Sequence, residues 1–174
     1  MSVLSVILIL AAVYSIRFVK TLKKMSGHKV TITEKSGDLF SAPKEYSIGH
    51  CVSADLRMGK GIAVKFRDTF GQIQTLKNQN AQTGGLAVLK DDNRFIYYMV
   101  TKATFYQKPT YQSMYASLTA VKDHMKLNNV TKLAIPKIGC GLDGLNWDKV
   151  KDQLHEVFSD EAFDIVVYNF VAKK

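Results

Sequence analysis

Lys132-Leu133-Ala134-Ile135-Pro136-Lys137-Ile138-Gly139-Cys140-Gly141-Leu142-Asp143-Gly144-Leu145-Asn146-Trp147 is the stretch that decides the fold. It reads as a short buried strand, then a glycine-rich loop, then a helix that Asn146 can cap. Trp147, Val150, Leu154, Val157 and Phe158 recur at helical spacing and predict that helix's inward face. A mostly apolar strand, Asp164–Tyr168, follows. Strand, loop, helix, strand within so short a run is the unit from which parallel sheets are built.

Upstream, the same alternation recurs. Val30–Glu34 and Tyr46–Val52 read as strands, with a loop or short turn at Asp38–Pro43 between them. The loop Arg57-Met58-Gly59-Lys60-Gly61 precedes a helix carrying Ile62, Ala63, Phe66 and Phe70 on one face. Leu86–Lys90 and Phe95–Val100 flank Asp91-Asp92-Asn93-Arg94, a hairpin signal. Thr110 can cap a helix with apolar positions Tyr111, Met114, Tyr115, Leu118, Val121 and Met125, ended by Asn128-Asn129. The order β-β-α-β-β-α-β-α-β predicts an α/β fold whose mixed sheet is covered on both faces.

The 174 residues suffice for one domain, and 47% apolar residues exclude wholesale disorder. Two cysteines, Cys51 and Cys140, exclude a disulfide scaffold and a four-cysteine zinc site. The formal charge of +9 is unevenly placed: residues 1–24 hold Arg17, Lys20, Lys23 and Lys24 and no acid. A nucleic-acid-binding reading rests only on that charge, and no RNP or helix-turn-helix pattern supports it. Val3–Ile16 is almost wholly apolar but falls short of the ~20 residues that span hydrocarbon. Residues 1–24 therefore read as a membrane anchor with the body on the cytoplasmic side, as a dispensable extension before Met25, or as a cleaved signal. On each reading they stand apart from the domain at 25–174.

Four segments put glycine and polar residues at the ends of predicted strands: Gly37-Asp38-Leu39, Ser53 to Gly61, Thr101-Lys102, and Gly139 to Gly144. Ligands of open α/β sheets sit outside the carboxyl ends of strands, so these loops are expected to share a crevice. Gly139-Cys140-Gly141-Leu142-Asp143-Gly144 matches G-x-G-x-x-G, but too little chain follows it for a dinucleotide-binding half. What survives is that glycines let backbone N–H groups approach a diphosphate. The four histidines lack metal spacing: His50 reads as packed, and His124 and His155 as surface groups. Cys140 in its glycine loop is a weaker candidate nucleophile. Lys102 ends the apolar run Phe95–Val100, so its amine is expected to emerge into the crevice, where desolvation favours a nucleophilic neutral amine. Asp143 is the acid of the other loop.

Taken together, Gly37-Asp38-Leu39-Phe40, His50-Cys51-Val52-Ser53-Ala54-Asp55, Arg57-Met58-Gly59, Gly61-Ile62-Ala63, Tyr98, Thr101-Lys102, Lys108-Pro109-Thr110-Tyr111 and Ile135-Pro136 through Trp147 resemble the macrodomain family. Within it they are most similar to the glycohydrolases that remove terminal ADP-ribose from proteins and act as O-acyl-ADP-ribose deacetylases. The resemblance covers residues 30–170. It implies a three-layer α/β/α macrodomain with a central mixed sheet, working without cofactor or metal. It implies hydrolysis of mono-ADP-ribose from glutamate and aspartate side chains, and of some acyl-ADP-ribose esters. A non-catalytic ADP-ribose reader is the alternative. Lys102 would be the nucleophile and Asp143 its acid–base partner. Asp38 and Leu39 would hold the adenine, with Phe170 covering that side. Ser53, Met58, Gly59 and Gly61 would line the phosphates and distal ribose. Lys137, Ile138, Gly139, Cys140, Gly141 and Leu142 would wrap the diphosphate. Lys137 stands where an arginine would grip phosphate in two-pronged fashion. Implied partners are ADP-ribose, mono-ADP-ribosylated proteins and poly-ADP-ribose, bound by a monomer. The implied address is nucleus and cytoplasm, with the anchored reading of residues 1–24 as its competitor.

Overall fold

The computed structural model describes residues 29–170. The apolar segment, the basic residues after it and His28 lie outside the described residues. Six strands form one sheet: β1 (Thr31–Ser36), β2 (Ser47–Ser53), β3 (Leu86–Asp91), β4 (Arg94–Lys102), β5 (Lys132–Pro136) and β6 (Asp164–Asn169). Their order is β1-β6-β5-β2-β4-β3. All neighbours run parallel except edge strand β3, which pairs antiparallel with β4. Among the described residues there are four α-helices: α1 (Ile62–Phe70), α2 (Ile73–Asn78), α3 (Tyr111–Leu127) and α4 (Trp147–Phe158).

The strands read as apolar runs because both faces are buried. Along β4, Ile96, Tyr98 and Val100 join one core and Tyr97 and Met99 the other. In β6, Val166 and Tyr168 face the first core, and Ile165 and Val167 the second. The first core is closed by Phe66 of α1, Leu76 of α2 and Leu39 of a 3-10 turn. The second is closed by Met114, Leu118, Val121 and Met125 of α3 and Val150, Leu154, Val157 and Phe158 of α4. The fold is thus the expected three-layer α/β/α arrangement.

Both expected helix caps form. Thr110 accepts from the Ser113 amide in a capping box, and Asn146 accepts from Lys149. One element is added to the expected set and two expectations are corrected. Helix α2 was not foreseen, because six residues with few apolar positions carry too little periodicity. Tyr115 is 36% exposed and donates to Glu156 instead of joining the core. His124 is not a free surface group: it is half-buried against Phe95 and lies 3.2 Å from the Tyr97 hydroxyl.

His50 is packed, as expected. Its ring is fully buried, stacks on Phe66 at 3.9 Å, and has no hydrogen-bond partner on either nitrogen. Burial pushes its pKa down to about 3. The unfolded chain, with a histidine near ~6.5, then binds more protons below that value, so stability falls as pH drops. We expect His50 to cost about 3 kcal/mol at pH ~4.5 relative to neutral pH. Urea unfolding of wild type and His50→Leu at both pH values checks this: the variant should lose less on acidification, and equal losses would contradict it.

Candidate functional site

At the carboxyl ends of β2, β4 and β5 opens a cavity of about 740 Å³. The end of β4 is irregular. Val52 pairs with Val100, but Ser53 pairs with Lys102, so Thr101 is an extra residue in a β-bulge. A bulge bends its strand and re-aims the following side chain. The carbonyls there are taken up by α3, with Ser117 donating to Val100 and Ser113 to Thr101. Lys102 is thereby pointed at Asp143, 2.5 Å from Nζ to Oδ1, with only 14% and 16% of the two side chains exposed. Sequence alone could not place these two groups side by side.

Two glycine loops face each other beyond this pair. Gly139 has a left-handed φ of 70°, and a Cβ there would strike Met114 at 2.6 Å and Leu145 at 2.9 Å. The left-handed φ favours glycine, and a Cβ would push aside the terminal methyls of Met114 on α3 and of Leu145. Gly61 heads α1 with φ 60° and ψ −148°, a conformation essentially confined to glycine. Between Ser53 and Gly61, Leu56 and Met58 hold positive φ of 50° and 42° while their side chains are buried in the first core. Such strain persists only where surrounding packing over-determines it, and it clusters at ligand sites.

Of the expected residues, Ser53, Met58, Gly59, Gly61, Lys102, Lys137, Ile138, Gly139, Gly141, Leu142 and Asp143 line the cavity. Lys137 directs its amine to Glu34, at 3.4 Å. Glu34 also accepts from Trp147, Lys151 and Asn169, and these donors hold its carboxyl down at about 2. Four expected residues do not line the cavity. Cys140 packs toward the second core, its thiol donating to the Ile138 carbonyl. Leu39 is a core side chain. Asp38 caps the 3-10 turn through the Phe40 amide and pairs with Lys65 at 2.5 Å, which holds its carboxyl below the usual range. Phe170 is 80% exposed; the preceding Asn169 carbonyl accepts from Gly37, which brings the Gly37–Asp38 loop beside it.

Neither cysteine is activated. Burial, then the nearby Asp143 charge, pushes the Cys51 thiol up to about 12. Burial likewise raises Cys140. Among the described residues no cluster of three or more His, Cys, Asp or Glu could hold a metal ion.

Phe105, Tyr106, Gln107 and Lys108 also line the cavity, with no role legible for them in the sequence; Asp55, outside the lining, holds this segment. Asp55 accepts from the Ser53 hydroxyl at 2.5 Å, the Arg57 amide at 3.2 Å and the Phe105 amide at 2.9 Å. Burial works against this carboxylate, but those hydrogen bonds outweigh it and keep its pKa below the usual range. Arg57 lies 4.0 Å over the Phe105 ring, and Lys108 donates to the Leu142 carbonyl. The segment 103–108 thus forms one wall. Its only sequence signal was the consecutive pair Phe105-Tyr106 between a strand and a helix.

A family model described as the Macro domain matches residues 50–154. The ADP-ribose glycohydrolase OARD1 of Homo sapiens is 50% identical over 137 residues, which cover 79% of this chain and 90% of that protein. Among solved structures, the macrodomain of Mycobacterium tuberculosis DarG superposes with a TM-score of 0.71 at 26% identity, covering 79% of this chain and 97% of that one. That of Thermus aquaticus DarG gives 0.72 at 24% identity, covering 80% and 98%.

Gly141 provides a direct check on the loop. A Cβ there meets nothing within 4 Å, so Gly141→Val should fold with an unchanged melting temperature. The added methyls would occupy the space a diphosphate needs, and calorimetry should show ADP-ribose affinity reduced at least about tenfold. Normal affinity would remove the loop from the ligand site.

Proposed function

The chain belongs to the macrodomain family and is a hydrolase of its ADP-ribose glycohydrolase kind; on that premise we propose that it releases mono-ADP-ribose from glutamate and aspartate side chains of modified proteins, and ADP-ribose from acyl esters. The observation that carries this reading is the Lys102–Asp143 pair, two half-enclosed groups in contact at the floor of a cavity walled by glycine loops. A reader that only binds ADP-ribose needs the glycine loops but has no use for this pair.

The bond to be broken joins the anomeric carbon of the distal ribose to a carboxyl oxygen. A carboxylate leaves readily, so no metal is called upon. The Lys102 amine attacks the anomeric carbon as the carbon–oxygen bond breaks, and the carboxylate departs with the electron pair. For that attack Asp143, already hydrogen-bonded to Nζ, takes a proton from the Lys102 ammonium and frees its lone pair. The glycosylamine so formed opens its ring: the bond from the anomeric carbon to the ring oxygen breaks, that oxygen takes a proton from the nitrogen, and the lysine–sugar linkage becomes a protonated Schiff base. Water adds to that carbon, the carbon–nitrogen bond breaks, and the proton returns through Asp143. The backbone of Gly59–Gly61 and Gly139–Gly141 cradles the diphosphate, with the adenine toward Asp38, Leu39 and Phe170. Modified proteins and poly-ADP-ribose are the proposed partners of a monomeric enzyme. We place it in the nucleus and cytoplasm, or on a membrane through residues 1–24. Fractionation of the full chain against one starting at Met25 decides: an anchor predicts a membrane fraction that the shorter chain loses, and identical distributions contradict it.

Lys102→Ala should lower turnover of a glutamate-linked mono-ADP-ribosylated protein by at least about a thousandfold while ADP-ribose affinity changes by less than about threefold. Full activity in that variant would overturn the lysine's role.

A further inference from the structure

The strap 103–108 leaves β4 directly after Lys102 and returns to α3 at Thr110. Its backbone is pinned: Asp55 accepts from the Phe105 amide, and Gln107 bonds Thr104 through both its amide and its side chain. Its aromatic side chains are nevertheless left in solvent, Phe105 48% and Tyr106 71% exposed, edge-to-face at 5.3 Å. A hydrogen-bonded backbone that presents one open ring, Tyr106, and a second, Phe105, capped on one face by Arg57 is what a binding wall requires.

The position of the strap says what it binds. Asp38, Leu39 and Phe170, proposed for the adenine, lie off the cavity, and Lys102 marks the other end of the ligand, where the departing group is attached. The strap continues from Lys102 itself, so it borders the acceptor and not the nucleotide. Charge narrows the occupant. The cavity is lined by Arg57, Lys60, Lys102, Lys108 and Lys137 against Asp143 as its acid. Lys102 is matched by Asp143 and Lys137 by Glu34. Arg57 rests on a ring with the Asp55 carboxylate close by, Lys108 on a neutral carbonyl, and exposed Lys60 has no ion-pair partner among the described residues. In the proposed pose backbone N–H groups of the glycine loops hold the diphosphate, which leaves Lys60 and Lys108 to the acceptor.

We infer that the Phe105–Tyr106 strap, clamped by Asp55 and flanked by Arg57, Lys60 and Lys108, is an acceptor-recognition wall that favours acidic peptide around the modified residue; this rests on the proposed action on protein-linked ADP-ribose. The rings cover the peptide's stems and backbone, and the cations select its neighbouring carboxylates.

The experiment reads binding, so that it does not depend on turnover. Two peptides carry ADP-ribose on one glutamine through an amide, with glutamate residues on both sides in one and lysine residues in the other. Calorimetry should show the acidic peptide bound about tenfold tighter than the basic one. Lys60→Glu should bring that ratio close to one. Tyr106→Ser, at a side chain too exposed to matter for folding, should weaken both peptides by about fivefold relative to free ADP-ribose. Equal affinity of the wild type for both peptides overturns the proposal. So does an equal loss for free ADP-ribose in Tyr106→Ser, which would put the strap over the nucleotide, and so does tighter binding of an ADP-ribosylated oligonucleotide than of either peptide. Selective binding of these amides with no hydrolysis of the matching esters would retain the acceptor wall and reject the hydrolase reading.

Discussion

The ion pair between Lys102 and Asp143 is the contact to which the rest of the architecture answers. Its two members come from the end of β4 and from the loop after β5, strands that are not neighbours but flank β2. Nothing local in the chain holds them together. The distance between them is set by how α3 seats both sides: Ser113 and Ser117 bind the carbonyls around the Thr101 bulge, and Met114, one residue along the same helix, fills the space that Gly139 leaves by having no Cβ. One helix thus fixes the Lys102 end of β4 and the Gly139 loop together, which is the preorganisation that positioning chemistry demands.

The same helix explains why the second core is more than packing. Met114, Leu118, Val121 and Met125 are buried against Tyr97 and Met99 of β4 and Leu133 and Ile135 of β5. A large-to-small change at Met114 would cost stability, about 2 to 5 kcal/mol for a buried methionine. It would also free the Gly139 loop from its support, so stability and the geometry of the cavity are coupled at this position. Glu34 does comparable service at the other side of the loop, gathering Lys137, Lys151, Trp147 and Asn169 at one carboxylate.

The fold was legible because burial on both faces leaves its mark in composition. The apolar runs of β4, β5 and β6 and the periodic faces of α3 and α4 admit few other arrangements. The glycine loops announced a crevice because several of them fell at strand ends. What stayed hidden was whatever depends on a single backbone irregularity or on three-dimensional proximity. Thr101 gives no sign in sequence that it is an extra residue of a bulge. Leu39 looks the same whether it sits in the core or under a ligand. Asp55 stands within a stretch quoted for its family resemblance, yet its work is to accept an amide from a segment fifty residues away. The strap itself was invisible for the same reason, since two aromatic residues in a loop acquire meaning only once their exposure is known.

The central claim is that Lys102 attacks the sugar and Asp143 manages its proton. It is tested most directly by intact-mass and peptide-mapping analysis of Asp143→Ala after reaction with glutamate-linked mono-ADP-ribosylated protein. Without the carboxylate, breakdown of the Schiff base slows, and the account predicts an ADP-ribose adduct that maps to Lys102 and disappears in the Lys102→Ala, Asp143→Ala double variant. Turnover in Asp143→Ala with no adduct, or an adduct unaffected by loss of Lys102, would contradict it.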